Sequence, residues 1–189
     1  MDILDIEIIT ERLVLRVIDE SMAERVVDYF RRNHDFLYRW EPIRPTGFYT
    51  TQYHQAQLKI DLIKMDKDEM FRVWVFKQEK LEAGRVIGSL AFNNIVRGCF
   101  HSCFLGYRLD KDEVNQGYMT EALRAFVEFG FEQLNLHRVE ANIIPRNKPS
   151  IRVAEKAGFY HEGLAQKYLK INGQWEDHIH LVIRNIVME

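Results

Sequence analysis

The residues with the clearest chemical capacity lie between positions 103 and 131. Cys103 to Leu109 reads as a strand, and a polar turn through Val114-Asn115-Gln116-Gly117 follows it. Tyr118-Met119-Thr120 then opens a helix with Met119, Leu123, Phe126, Val127, Phe131 and Leu134 at helical spacing. Gly117 frees the backbone of the turn to present its N–H groups. The helix adds unpaired N–H groups and the positive end of its dipole. A strand feeding such a turn is a site for phosphate, and several phosphate-bearing ligands fit that description.

Other residues carry chemistry at a distance. Ser150 follows a Pro145 to Pro149 loop and reads as the N-cap of a short helix from Ile151 to Ala157 closed by Gly158. Trp40-Glu41-Pro42 lies in an irregular, aromatic stretch from Asp35 to Tyr49, the kind of segment in which binding residues concentrate. Tyr38, Trp40 and Tyr49 are candidates to wall a groove, against the alternative of core packing. Glu41, and Asp177 or His178 further on, are candidate polar or proton-relay side chains; surface side chains of these types are more often merely solvated. Period-2 alternation puts Cys99, His101 and Cys103 on one strand face. One straight strand cannot wrap three ligands around a tetrahedral metal, so no metal is expected. Nor is a disulfide, because the two Cα atoms would be roughly 13 Å apart.

These residues need a scaffold. Arg12 to Arg16 alternates as a strand, and Asp19 caps a helix from Glu20 to about Asn33. Thr50 or Thr51 starts a second helix to about Met65, and Asp66 to Glu69 is a solvated loop. Phe71–Phe76, Arg85–Phe92 and Cys99–Leu109 form an antiparallel meander with turns at Glu79 to Ala83 and Arg97-Gly98. Arg138–Ile144 follows the long helix and should lie parallel to the strand before it. Tyr160–Ile171 and Trp175–Arg184 flank Asn172-Gly173, a type I′ hairpin signal. The order β-α-α-β-β-β-α-β-α-β-β is that of one mixed α+β domain over residues 1–189.

With 47% hydrophobic and 29% charged residues, the chain has the composition of a soluble globular protein. A net charge of −2 argues against a protein that coats nucleic acid. No apolar run approaches the ~18 residues of a membrane span, and the acidic start lacks the basic residues of a signal peptide. A cytoplasmic protein without membrane or nucleic-acid partners is expected, as a monomer or homodimer.

Gly106-Tyr-Arg-Leu109, Gln116 to Leu123, Asn147-Lys-Pro-Ser150 and Ala157-Gly-Phe159, in this order, resemble the GNAT acetyltransferases. Within them the chain resembles the ribosomal-protein-alanine N-acetyltransferases of the Rim group, most of all the RimJ type. That type carries similar segments around Trp40-Glu-Pro42, Asn94 to His101, Met119 and Ile171 to His178. The resemblance implies the GNAT fold, a mixed and mostly antiparallel sheet with helices on both faces, and acetyl-coenzyme A as co-substrate. It places Tyr107, Arg108 and Leu109 against the pantetheine. Val114, Asn115, Gln116, Gly117, Tyr118, Met119 and Thr120 would surround the pyrophosphate, and Asn142 and Asn147 complete the coenzyme-binding set. The family's turn usually begins with Gln or Arg and ends with Gly or Ala. Val114 and Met119 depart from this, so the cradle must rely on main-chain donors.

Ser150 matches the serine proposed in Rim enzymes as general acid toward the thiolate. The tyrosine that serves elsewhere in the family would fall at Ala154. The glutamate used as base in some relatives falls at Asn142, and the Rim-type alternative falls near Leu169; neither side chain accepts a proton. An α-amine of pKa ~7.7–8.0 is roughly 9–17% neutral at pH 7, whereas a lysine is well below ~0.1% neutral. The missing base therefore leans toward an N-terminal amine. Tyr38, Trp40, Glu41, Tyr49 and Asp177 would form the acceptor side. The expected function is acetyl transfer to the N-terminal alanine of a protein or peptide, possibly ribosomal, in a ternary complex. Two alternatives stand beside it: acetylation of a polyamine or antibiotic, and a non-catalytic coenzyme A-binding module in ribosome assembly.

Overall fold

The computed structural model describes residues 2–80 and 84–189. Eight strands form one sheet in the order β1-β2-β3-β4-β5-β6-β8-β7. They are β1 (Glu7–Ile9), β2 (Leu13–Arg16), β3 (Met70–Lys77), β4 (Gly88–Val96), β5 (Ser102–Leu109), β6 (Arg138–Ile143), β7 (Tyr160–Ile171) and β8 (Gln174–Arg184). All neighbouring pairs are antiparallel except β5 with β6, as the intervening helix requires.

The helices are α1 (Ala23–Arg32), α2 (His34–Leu37), α3 (Thr51–Asp66), α4 (Tyr118–Glu132) and α5 (Lys148–Lys156). They cover both faces because the central strands are apolar on both. On β3, Phe71, Val73 and Val75 join one core with Leu123, Phe126 and Ile151 of α4 and α5. Trp74 and Phe76 alternate into a second core with Val26, Tyr29 and Phe30 of α1 and Leu58 of α3. The first core is tight at Gly130, where an added Cβ would lie 2.7 Å from Phe92 Cζ. Thr50 caps α3, its hydroxyl accepting from the Tyr53 N–H at 3.3 Å.

Several expectations are corrected. β1 has only three residues, too few to show a period. The stretch after Asn33 is not wholly irregular, since α2 and a 3-10 turn at Tyr38–Trp40 occupy it. Cys99, His101 and Cys103 do not share a strand face: His101 has φ +41° and β5 starts only at Ser102. Cys99 is exposed, and Cys103 is buried with its thiol pushed up by burial. Gln78–Lys80 forms a 3-10 turn, and residues 81–83 of the expected Glu79–Ala83 turn lie outside the described residues. Both hairpin residues take positive φ, Asn172 at +45° and Gly173 at +80°, as a type I′ turn demands. Among the described residues, no helix is long and apolar enough to cross a membrane, and no group of three His, Cys, Asp or Glu is placed to hold a metal ion.

Candidate active site

The single parallel pairing in the sheet is short. β5 meets β6 at Ser102↔Arg138, Cys103↔Val139 and Phe104↔Glu140, and there the register ends. Beyond it β5 stays on β4 and β6 stays on β8, so the two strands part. A cavity of about 640 Å³ lies in the wedge, lined by Leu105 to Leu109 on one side and Ala141 to Ile144 on the other. The Asp110 N–H donates to the Ile87 carbonyl at 2.7 Å, beside β4. N–H groups alternate along an extended strand, so the Leu109 N–H points the other way, into the wedge.

At one end of the wedge sits the turn before α4. Asn115 has φ +63° and Gly117 φ +82°, two left-handed residues that fold the chain back into the helix. The first bond of α4 is Glu121 N–H to the Gly117 carbonyl at 3.0 Å. The N–H groups of Tyr118, Met119 and Thr120 therefore have no carbonyl within the helix to pair with. Arg12 buttresses the turn from behind. Its guanidinium donates to Glu121 at 2.7 Å and to the Gln116 carbonyl at 3.0 Å, and lies 4.5 Å from the centre of the Tyr118 ring. Burial pushes the Glu121 carboxyl up, but bonds from the Thr10 hydroxyl, the Arg12 N–H and its guanidinium hold it below its usual range. The turn thus presents bare N–H donors in front and a neutralised ion pair behind. Arg152 and Lys156 of α5 bring two cations to the same cavity. Main-chain donors, a helix N-terminus and nearby cations fit a pyrophosphate.

Ser150 lines the same cavity, but not as the expected N-cap. Asn147 holds that position, its side chain accepting from the Ser150 N–H at 3.4 Å, and α5 begins at Lys148. The Ser150 hydroxyl is free of the capping duty and donates to the Tyr107 oxygen at 2.8 Å. Tyr107 in turn donates to the Ser150 carbonyl at 2.8 Å. Burial pushes the Tyr107 phenol up, so it stays protonated at neutral pH. The closed pair of bonds fixes the serine rotamer.

The other end is roofed by Phe36, Leu37, Trp40, Glu41 and Pro42, over Leu169, Ile171 and His178 of the hairpin. The Asn172 N–H donates to the Glu41 carbonyl at 3.0 Å, and Arg146 lies 5.0 Å from the centre of the Trp40 ring while pairing with Glu176 at 2.5 Å. Glu41 is not a surface carboxylate: it is buried, with one oxygen on Arg108 and the other on Arg44. Arg108 also lines a smaller polar chamber of about 200 Å³ behind the roof, with Arg44, Arg72, His54 and Asp61.

Of the residues expected at the site, Tyr107, Arg108, Leu109, Val114, Asn115, Gly117, Tyr118, Met119, Thr120, Asn142, Asn147, Ser150, Trp40 and Glu41 line this one cavity. Four do not. The Gln116 side chain turns back to Asp112 and Glu113. Tyr38 is exposed and stacks on His34, and Tyr49 packs on Phe48 and His34. Asp177 accepts from the Lys167 N–H at 2.8 Å, holding the bulge between β7 and β8. His178 lines the cavity, though sequence alone gave it no preference over Asp177.

The family model described as an acetyltransferase (GNAT) domain matches residues 12–160. The [Ribosomal protein uS5]-alanine N-acetyltransferase of Escherichia coli is 36% identical over 92% of this chain and 88% of its own. The crystal structure of the ribosomal-protein-S5-alanine acetyltransferase from Vibrio fischeri superposes with a TM-score of 0.91 at 34% identity, covering 98% of this chain and all of that one. The structure of Mycobacterium smegmatis RimJ, solved with CoA-disulfide, has a TM-score of 0.84 at 25% identity over 91% of this chain and 81% of that one. The wedge, the left-handed turn at Gly117 and the matched span agree: the chain belongs to the GNAT superfamily of acetyltransferases, enzymes that move an acetyl group from acetyl-coenzyme A to an amine.

Proposed function

We propose that this enzyme acetylates the N-terminal alanine of a ribosomal protein, by direct transfer in a ternary complex. One observation carries the reading. A single cavity is lined by the Gly117 turn, by Ser150 and by the Trp40-Glu41-Pro42 roof. The Vibrio fischeri S5-alanine acetyltransferase structure covers 98% of this chain, the length that carries both roof segments, around Trp40-Glu41-Pro42 and Ile171 to His178. The wall chemistry supports a protein amine over a polyamine. Among the described lining residues the only carboxylate is Glu41, and two arginines neutralise it. A polycation would find no unpaired acid there.

In this reading the turn and the α4 N-terminus hold the pyrophosphate, and the free edge of β5 aligns the pantetheine. The amine enters under Trp40 and attacks the thioester carbonyl. The Leu109 N–H stabilises the oxyanion. The Ser150 hydroxyl turns its one hydrogen from the Tyr107 oxygen to the departing thiolate. Mass spectrometry on a panel of peptides and small amines tests the acceptor. Peptides beginning with alanine should gain one acetyl group at the α-amine; acetylation confined to small amines would overturn the reading. Replacing Ser150 by alanine should lower kcat by about 10² while acetyl-coenzyme A affinity stays within about threefold. Tyr107→Phe, which spares the hydroxyl but frees its rotamer, should lose about tenfold. Unchanged turnover in Ser150→Ala would remove the serine from the chemistry.

A further inference from the structure

The family's base positions hold Asn142 and Leu169, so the proton on the attacking nitrogen needs another destination. The titratable side chains lining the cavity are Glu41, Tyr107, Arg108, Tyr118, Arg152, Lys156 and His178. Burial holds the proton on Tyr107, Tyr118 lies under the Arg12 guanidinium at the turn, and arginine and lysine side chains are donors only. That leaves Glu41 and His178. Both oxygens of Glu41 are occupied by Arg108 and Arg44, so the carboxylate is committed to a structural ion pair. Asp177 is held by the Lys167 N–H away from the cavity. His180 is tied through Nδ1 to Glu140 at 2.9 Å and does not line the cavity.

His178 is 2% exposed, lies on β8 beneath the roof, and packs beside the Tyr168 ring with centroids 5.7 Å apart. Its Nδ1 is 3.0 Å from the Glu176 carbonyl. A carbonyl only accepts, so Nδ1 carries the hydrogen and Nε2 carries the lone pair. We propose that His178 is the general base of the reaction, taking the proton of the acceptor amine on Nε2. This rests on the ternary mechanism above.

As the C–N bond forms and the C–S bond breaks, the nitrogen proton passes to His178. The thiolate takes a proton from Ser150. The serine recovers one from water, and His178 releases its own to water. The surroundings keep the ring in the form this needs. Burial is the largest influence and lowers its pKa; the Glu176 carbonyl and carboxylate and Asp177 oppose this, and His180 adds to it. Tyr168 from β7 packs against the ring, and Asn142 from β6 and the internally paired Glu41 of the roof line the same cavity. The net direction is down, so the imidazole is neutral at pH 7 and ready to accept.

The test compares His178→Gln and His178→Asn with the wild type on whichever amine of the acceptor panel turns over. A refused peptide therefore counts against the acceptor reading, and this comparison continues with the amine that is accepted. Both variants should lose about 10²–10³ in kcat, with acetyl-coenzyme A affinity within about threefold. The loss should shrink as the acceptor amine's pKa falls, and the acid limb of the kcat/KM pH profile should keep only the inflection of the acceptor amine. His180→Gln should stay within about threefold of wild type. Nitrogen NMR of imidazole-labelled wild type supplies a readout independent of turnover: His178 should be neutral at pH 7 with hydrogen on Nδ1. Turnover retained in both variants, a loss equal for all amines, or hydrogen on Nε2 would each overturn the proposal.

Discussion

Gly117→Val should weaken coenzyme A binding about 100-fold, read by calorimetry on the folded variant. Gly117 sits at φ +82°, where an L residue costs roughly 1–2 kcal/mol and a β-branched one more. The added Cβ would also come 3.3 Å from Arg12 Nη2, but that is the mobile end of a side chain and can give way. The dihedral is therefore the larger effect. The turn relieves it by rotating, which carries the N–H groups of Tyr118 to Thr120 away from the phosphates. Each hydrogen bond to a charged group is worth about 1.5–3 kcal/mol, and a tenfold change in affinity is about 1.4 kcal/mol. Losing one such bond on top of the strain already accounts for about two decades. An unchanged Kd would mean that the cradle lies elsewhere in the wedge.

Glu41→Ala should destabilise the protein by about 2–4 kcal/mol. The carboxylate is 11% exposed and carries two guanidiniums, Arg44 at 22% and Arg108 at 32%. Removing one partner of a buried pair typically costs ~3–5 kcal/mol because the remaining charge has no compensation. The partial exposure of Arg108 discounts this. Arg72 worsens it, since the chamber would then hold three guanidiniums against Asp61 alone. At about 2–4 °C per kcal/mol for a chain of this size, Tm should fall by roughly 5–15 °C. Turnover should suffer too, because the Glu41 side chain anchors the two arginines that hold the roof. A shift under about 2 °C would show that solvent compensates the arginines.

The left-handed turn before α4 was legible because its requirement is local: a reversal between a strand and a helix needs a left-handed residue, and Gly117 announces it. The type I′ turn at Asn172-Gly173 is legible for the same reason. Glu41 was not. Its burial is produced by Arg108, 67 residues away, and the usual exposure of glutamate points the wrong way. Ser150 resembled a cap because Ser before a helix usually is one; Asn147 wins the position by three residues, and only the fold brings Tyr107 to the freed hydroxyl. Arg12 reads as one end of a strand, and nothing near it in the chain reveals that it braces a turn 104 residues on. The place of His178 was not legible either, because the roof that closes over it comes from a segment more than a hundred residues earlier. The three-residue β1 and the short α2 fall below the length at which periodicity speaks.

The three residue pairs between β5 and β6 make the seam where the sheet is thinnest. The chain up to Leu109 and the chain from Arg138 onward meet as strands only there. A molecule seated in the wedge offers polar atoms to the free edge of β5 and so acts as a temporary strand. Occupancy and integrity become one quantity, since a ligand at a hundred times its Kd adds about 2.7 kcal/mol to the folded state. If the coenzyme binds in the wedge, the folded state should be least stable when the wedge is empty, and Tm should rise with coenzyme concentration.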